Sequence, residues 1–255
     1  MVILEALLLL SGLNQDAAAC PMTGPAAATV ISRSNQLRVD GSYAQARRLL
    51  EAARPCVAES DATYPILLNN LAQIYKVTGP KNEVEPLLLA ALRAWQGTDR
   101  HPNALINLAD WCDRQGDSRR AEALFQEALS QYPRMALAHN NIGSFLHKRR
   151  RYDQAEAHYR RALALYQDNG LTGAMQTWGN LGLLLAERKR DGEAIEAFRQ
   201  MQRFTPLPVE EQAHATCLEV YAILLRRRQD PVSAERVSAA AMRYRVRNAF
   251  RHSGL

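Results

Sequence analysis

The sequence predicts an all-α solenoid of about six helix-turn-helix units, the class expected when 20- to 50-residue repeats stack on one another. Three observations predict it. A pattern of 34 to 40 residues recurs along the chain, its apolar and small residues fall in fixed columns, and those columns have helical spacing. The repeat is anchored at Asn70, Asn107, Asn141 and Asn180, with weaker copies at Ser32 and Val220. Successive anchors lie 38, 37, 34, 39 and 40 residues apart.

Taken in chain order, residues 1–19 read as a signal peptide or an N-terminal apolar helix. Residues 2–13 are apolar except for Glu5, Ser11 and Gly12, and Ala17-Ala18-Ala19 precedes Cys20. An apolar run before an Ala-x-Ala site has the form of a secretory signal. The same residues loosely resemble a bacterial lipobox, in which Cys20 would be lipidated. Against export stand Glu5 inside the run and the lack of Lys or Arg before it. The expectation is an exported chain (periplasmic, extracellular or lipid-anchored), the alternative a cytoplasmic one whose first helix packs on the first repeat. Residues 20–27 read as a short linker, and 28–255 as one continuous array with a basic C-terminal capping helix.

Each repeat column has a physical cause. One residue past the anchors lie Leu71, Leu108, Ile142, Leu181 and Tyr221; two past lie Ala72, Ala109, Gly143, Gly182 and Ala222. In the first helix of a unit Leu71, Ile74 and Tyr75 share one face. Gly41, Gly79 and Gly116, nine past their anchors, mark a helix end where left-handed backbone favours glycine. The second helix carries Ala46, Val84, Ala121, Ala155, Ala194 and Ala234 at fourteen past the anchor. Leu50, Leu88, Phe125, Tyr159 and Phe198 stand at eighteen, and Ala53, Ala91, Ala128, Ala162 and Ala241 at twenty-one. Small residues let the two helices approach and the large ones fill the wider gap. Pro133 and Pro206 close second helices. One such pair cannot bury this much apolar surface alone, so three or more must stack.

These columns resemble the tetratricopeptide repeat family, through Asn107-Leu108, Ala109, Gly116, Ala121, Phe125, Ala128 and Pro133. The resemblance covers about Ala28 to Met242 and implies a right-handed superhelix whose first helices line a concave groove. The run LLNNLAQIY and the spacings near forty also resemble kinesin light chain repeats. The family implies a scaffold that binds another protein or a peptide. In it, Asn at this anchor bonds the backbone of an extended peptide, a task suited to a carboxamide that both donates and accepts. The implied peptide site is Asn70, Asn107, Asn141 and Asn180 with Gln73, Asp110 and Ser144, and with Asn69, Asn140 and Gln176 nearby. The alternative is that each Asn bonds its neighbouring helix or water. The family's carboxylate clamp uses cations on groove-facing positions of the first helix. Four before the anchors this chain has Ala28, Ile66, Asn103, Leu137, Gln176 and Thr216, so a neutral groove is expected.

Charge and chemistry narrow the function further. Among 255 residues are 32 basic and 26 acidic ones, a net charge of +6. Residues 226–255 hold eight Arg against Asp230 and Glu235, which leaves 24 basic and 24 acidic residues before them. A whole-surface nucleic-acid footprint is therefore not expected. The basic end consists of Arg226, Arg227 and Arg228 with a stripe of Arg236, Arg243, Arg247 and Arg251. It reads as a solubilising cap, or alternatively as the means by which a nucleic-acid- or membrane-associated factor binds. Membrane attachment would come only through that end or a lipid on Cys20. The six His have no metal-ligand spacing, and no phosphate-binding or nucleophile motif occurs. No catalytic residue, metal or cofactor is expected. Cys20 and Cys56 bracket the first unit and could pair in an exported protein, or stay free, whereas Cys112 lies in an apolar column with Tyr75 and Leu146.

Overall fold

The computed structural model of the chain describes residues 21–22, 24–168 and 173–253, and the side chains of Asp168 and of 250–253 are outside that description. Twelve α-helices run through the described residues, with no strand among them. They are α1 (Gly24–Val39), α2 (Tyr43–Ala53), α3 (Tyr64–Thr78), α4 (Lys81–Ala94), α5 (His101–Arg114) and α6 (Ser118–Gln131), followed by α7 (Ala136–Lys148), α8 (Tyr152–Asp168), α9 (Ala174–Glu187), α10 (Asp191–Met201), α11 (Glu211–Arg227) and α12 (Pro231–Ser253). The six anchors fall on the six odd-numbered helices. The segment 1–19 and Cys20 lie outside the described residues.

The chain divides into two compact units, one ending at Gln115 and the other running from Gly116. The division falls inside the third sequence repeat, between α5 and α6. Within each unit a first helix packs on the second helix of its own repeat, and consecutive repeats meet through neighbouring helices: α1 with α3 in the first unit, α7 with α9 and α9 with α11 in the second. Helix α1 begins at Gly24, inside the stretch expected to be a linker. Pro25 in the first turn suits a helix start, because its missing N–H has no intrahelical partner there, and the alanines that follow are strong helix formers.

The cores follow the repeat columns. Every residue fourteen past an anchor is wholly inaccessible, from Ala46 to Ala234. Leu50, Leu88, Phe125, Tyr159 and Phe198 are at most 3% exposed. Where the two-past column holds glycine, the reason is steric: a Cβ on Gly143 would lie 2.7 Å from the Tyr159 ring, and one on Gly182 2.6 Å from the Phe198 ring. Cys112 is buried, as its column implies, and Cys217 is buried likewise. Burial pushes the Cys217 thiol up to about 12. Cys56 is disulfide-bonded.

Helix ends depart from the sequence reading in one respect. Gly41 and Gly116 do adopt the left-handed conformation, with φ of 81° and 88°. Gly79 does not; its backbone is extended, and an added Cβ would overlap the Tyr75 ring. The same position in the last three repeats is left-handed without glycine, at Arg150, Lys189 and Gln229, with φ of 58°, 59° and 59°.

Candidate functional site

In the first unit the polar face of α3 and α5 opens into a cleft of about 370 Å³. Leu67, Leu68, Leu71, Ile74 and Tyr75 bury one side of α3, which turns Asn69, Asn70, Gln73, Lys76 and Val77 to the other. Asn107, Asp110 and Arg114 come from α5, and Arg38 and Tyr43 complete the lining. The expected site residues Asn70, Gln73, Asn107 and Asp110 are thus brought together. The Asn70 Nδ2 donates to Asn35 Oδ1 at 3.1 Å and the Asn107 Nδ2 to Asn69 Oδ1 at 2.8 Å. Each anchor amide stitches its helix to the preceding first helix and leaves its own carbonyl oxygen unused by the described residues. The Gln73 Nε2 is buried without a hydrogen-bond partner.

The cations of this cleft were not read from the sequence. Lys76 reaches the Asn107 carbonyl at 3.1 Å and Asp110 Oδ2 at 3.2 Å, with its side chain only 6% exposed. Burial holds its pKa below the usual lysine range, against the pull of Asp110. Arg114 Nε meets the same Asp110 oxygen at 3.0 Å. One carboxylate therefore faces three cations, Arg38, Lys76 and Arg114, so the cleft is positive where the residues four before the anchors suggested neutrality. The signal lay further along the helix. Arg38 and Lys76 stand six residues past their anchors, three past Asn35 and Gln73, on the same helical face.

In the second unit the same register is half-buried as well, but it is tied to a fully buried neighbour. Asn140 is 1% exposed, and its Oδ1 accepts from Thr177 Oγ1 at 3.0 Å and Asn180 Nδ2 at 3.2 Å. Its own amide donates to Asn141 Oδ1 at 3.1 Å. Asn180 also donates to Ser144 Oγ at 3.2 Å, which in turn accepts from the Tyr159 hydroxyl at 3.2 Å. Burial raises that phenol to about 12. Asn141, Ser144 and Asn180 thus form a hydrogen-bonded ladder between α7, α8 and α9, while Gln176 is exposed.

Two further features of the second unit bear on function. His139 and His158 face each other with their Nδ1 atoms 3.1 Å apart, and His139 Nε2 lies 3.1 Å from the Pro133 carbonyl. Burial holds both imidazoles below the ordinary histidine pKa. No group of three or more His, Cys, Asp or Glu among the described residues is placed to hold a metal. At the basic end, much of the charge is paired within its own unit while remaining at the surface. Arg245, absent from the expected stripe, grips Glu219 at 2.9 and 2.8 Å. Arg247 lies 3.7 Å from Glu211 and over the Tyr244 ring, Arg227 3.8 Å from Asp191, and Arg226 donates to Ser238 at 2.9 Å. Arg228 and Arg243 are exposed. The Arg251 side chain lies outside the described residues. No described helix is long and apolar enough to cross a membrane.

A tetratricopeptide repeat family model matches residues 63–134 and 134–204, more than half of the chain. The chain belongs to the tetratricopeptide repeat family. Repeats of this family generally mediate protein–protein interaction. Among curated proteins, the type IV pilus assembly protein PilF of Pseudomonas aeruginosa is 27% identical over 113 residues. That match takes in 44% of this chain and 42% of PilF, less than half of the relative's length. Solved structures show the shared fold. A Pseudomonas aeruginosa PilF structure aligns with TM-score 0.60 and 22% identity, over 71% of this chain and 76% of that one. The Cut9–Hcn1 hetero-tetramer of APC/C gives 0.66 and 16%, over 95% of this chain and 42% of that one.

Proposed function

We propose that the chain is a scaffold that holds an extended segment of a partner protein against its Asn-bearing first helices. The observation that carries this reading is the first-unit cleft, where Asn70 and Asn107 are half-buried, fixed by their own amides and left with unused carbonyl oxygens. A fixed acceptor loses little freedom when a backbone N–H meets it, which favours binding. Asn141 and Asn180 extend the same reading to the second unit, though their amides serve the ladder as well. The likeness to a pilus assembly protein favours a macromolecular partner over a small ligand. Export is part of the proposal, on the apolar run and the Ala17-Ala18-Ala19-Cys20 sequence; an intact Met1 on protein from the native host would contradict it. The Arg-rich end is the weaker binding surface, because Arg227, Arg245 and Arg247 already meet carboxylates of their own unit.

A photo-cross-linking residue placed at Val77, 57% exposed on the cleft, tests the reading in the native host. The expected result is one recurrent partner protein cross-linked from position 77 and not from position 243. Cross-linking from 243 alone would transfer the function to the basic end.

A further inference from the structure

The charge of the first-unit cleft specifies the partner more closely. We infer that the cleft selects a segment carrying an acidic side chain, a Glu or Asp whose carboxylate meets Arg38 and Arg114; this rests on the peptide reading above. Asp110 is the single carboxylate of the lining and is shared by two cations, Lys76 at 3.2 Å and Arg114 at 3.0 Å. Arg38 has no carboxylate partner among the described residues. Lys76 is buried and spent on Asp110 and the Asn107 carbonyl, so it fixes α5 against α3 instead of reaching a ligand. Arg114 is 59% exposed and keeps most of its donors free. Arginine presents a planar fork of donors that fits a carboxylate.

Neutral groups around the cations suit a polypeptide. Asn70 and Asn107 offer carbonyl acceptors for backbone N–H groups, and Val77 and Tyr43 offer apolar surface to a neighbouring side chain. A phosphodiester chain is disfavoured, since a nucleic-acid track needs successive cations without an intervening carboxylate. At six and seven past the anchors of α7 and α9 the chain carries His147, Lys148, Ala186 and Glu187. Helix α11 carries Arg226 and Arg227 there, but Arg226 donates to Ser238 and Arg227 lies 3.8 Å from Asp191.

The test uses the full chain and fluorescence anisotropy. The probe is a labelled nine-residue peptide of alternating Glu and Leu, acetylated and amidated, beside its Gln counterpart and a nine-residue oligothymidylate. The Glu peptide should bind about tenfold more tightly than the Gln peptide, as a charge-assisted pair does relative to a neutral one. Arg38→Gln and Arg114→Gln should each weaken the Glu peptide by about three- to tenfold at unchanged melting temperature, with the loss shrinking in high salt. Arg243→Gln should change nothing. Equal binding of the Glu and Gln peptides, both lost on Asn107→Ala, would overturn the acidic selectivity and leave the peptide cleft standing. Failure of the Glu peptide to bind, a loss seen equally in Arg243→Gln, or tighter binding of the oligothymidylate through Arg38 and Arg114 would overturn the inference.

Discussion

The two compact units use one repeat in two ways. In the first, the Asn register lines an open, positively charged cleft, and the columns pair alanine with an aliphatic residue, as in Ala72 and Leu88. In the second, half-buried Asn141 and Asn180 are tied into a ladder around buried Asn140, and two repeats pair glycine with an aromatic ring, Gly143 with Tyr159 and Gly182 with Phe198. In these three repeats the small and the large residue trade volume with each other. An identical sequence register therefore fixes where a helix packs, whereas the neighbouring side chains decide whether its polar face is available to a partner.

The largest effect should come from the tight columns of the second unit. Gly182→Leu places a branched side chain against the Phe198 ring and should destabilise the protein by about 3 kcal/mol, the upper end for overpacking, measured by urea unfolding. Phe198→Leu in the same chain should recover part of that loss. No recovery would break the volume-sharing account.

Next in size is the ladder. Asn140→Ala strips the buried Thr177 hydroxyl and the Asn180 amide of an acceptor and should cost about 1–3 kcal/mol, the penalty for leaving buried polar groups unpaired. Asn69→Ala in the first unit removes one acceptor from half-buried Asn107, which water can replace, and should cost less than about 1 kcal/mol on the same scale. Equal losses would mean that the first unit is stitched as tightly as the second.

Turn chemistry differs in the same direction. Lys189→Gly in the second unit should relieve a left-handed L-residue and stabilise by up to about 1 kcal/mol, whereas Gly41→Ala in the first should destabilise by a similar amount. Thermal melts of the two variants should move in opposite directions. The smallest effect is the pH response of His139 and His158. Burial lowers both folded pKa values relative to an unfolded value near 6.5. Their contribution is therefore fully present above that value and is lost as the pH falls through the folded values. Acidification from pH 7.5 to 5 should lower the melting temperature more in the wild type than in a His139→Gln, His158→Gln variant.

Much of the fold was legible because stacking repeats it. The Ala121 and Phe125 columns recur in register, and each aligned residue found its buried place. Left-handed turns at Arg150, Lys189 and Gln229 were not legible, because glycine marks such turns only where the chain avoids the strain. The site was legible in part. Asn70 and Asn107 stood in the anchor column, but Arg38, Lys76 and Arg114 lie two turns on, outside the positions a clamp would use. Asn140 precedes its anchor by one residue, and only packing against Thr177 shows it as the centre of a ladder. The His139–His158 pair joins two helices nineteen residues apart, a separation that no short motif samples.

The most direct test of the central claim pairs a binding titration with a melting curve for Asn107→Ala and Asn180→Ala, using the partner captured from position 77. Asn107→Ala should weaken partner binding by about tenfold, from roughly 1.4 kcal/mol of lost contact, while the melting temperature changes little. Asn180→Ala should lower the melting temperature more than Asn107→Ala and weaken partner binding less. Normal binding by folded Asn107→Ala, together with a stability loss equal to that of Asn180→Ala, would contradict the account and make the Asn register structural in both units.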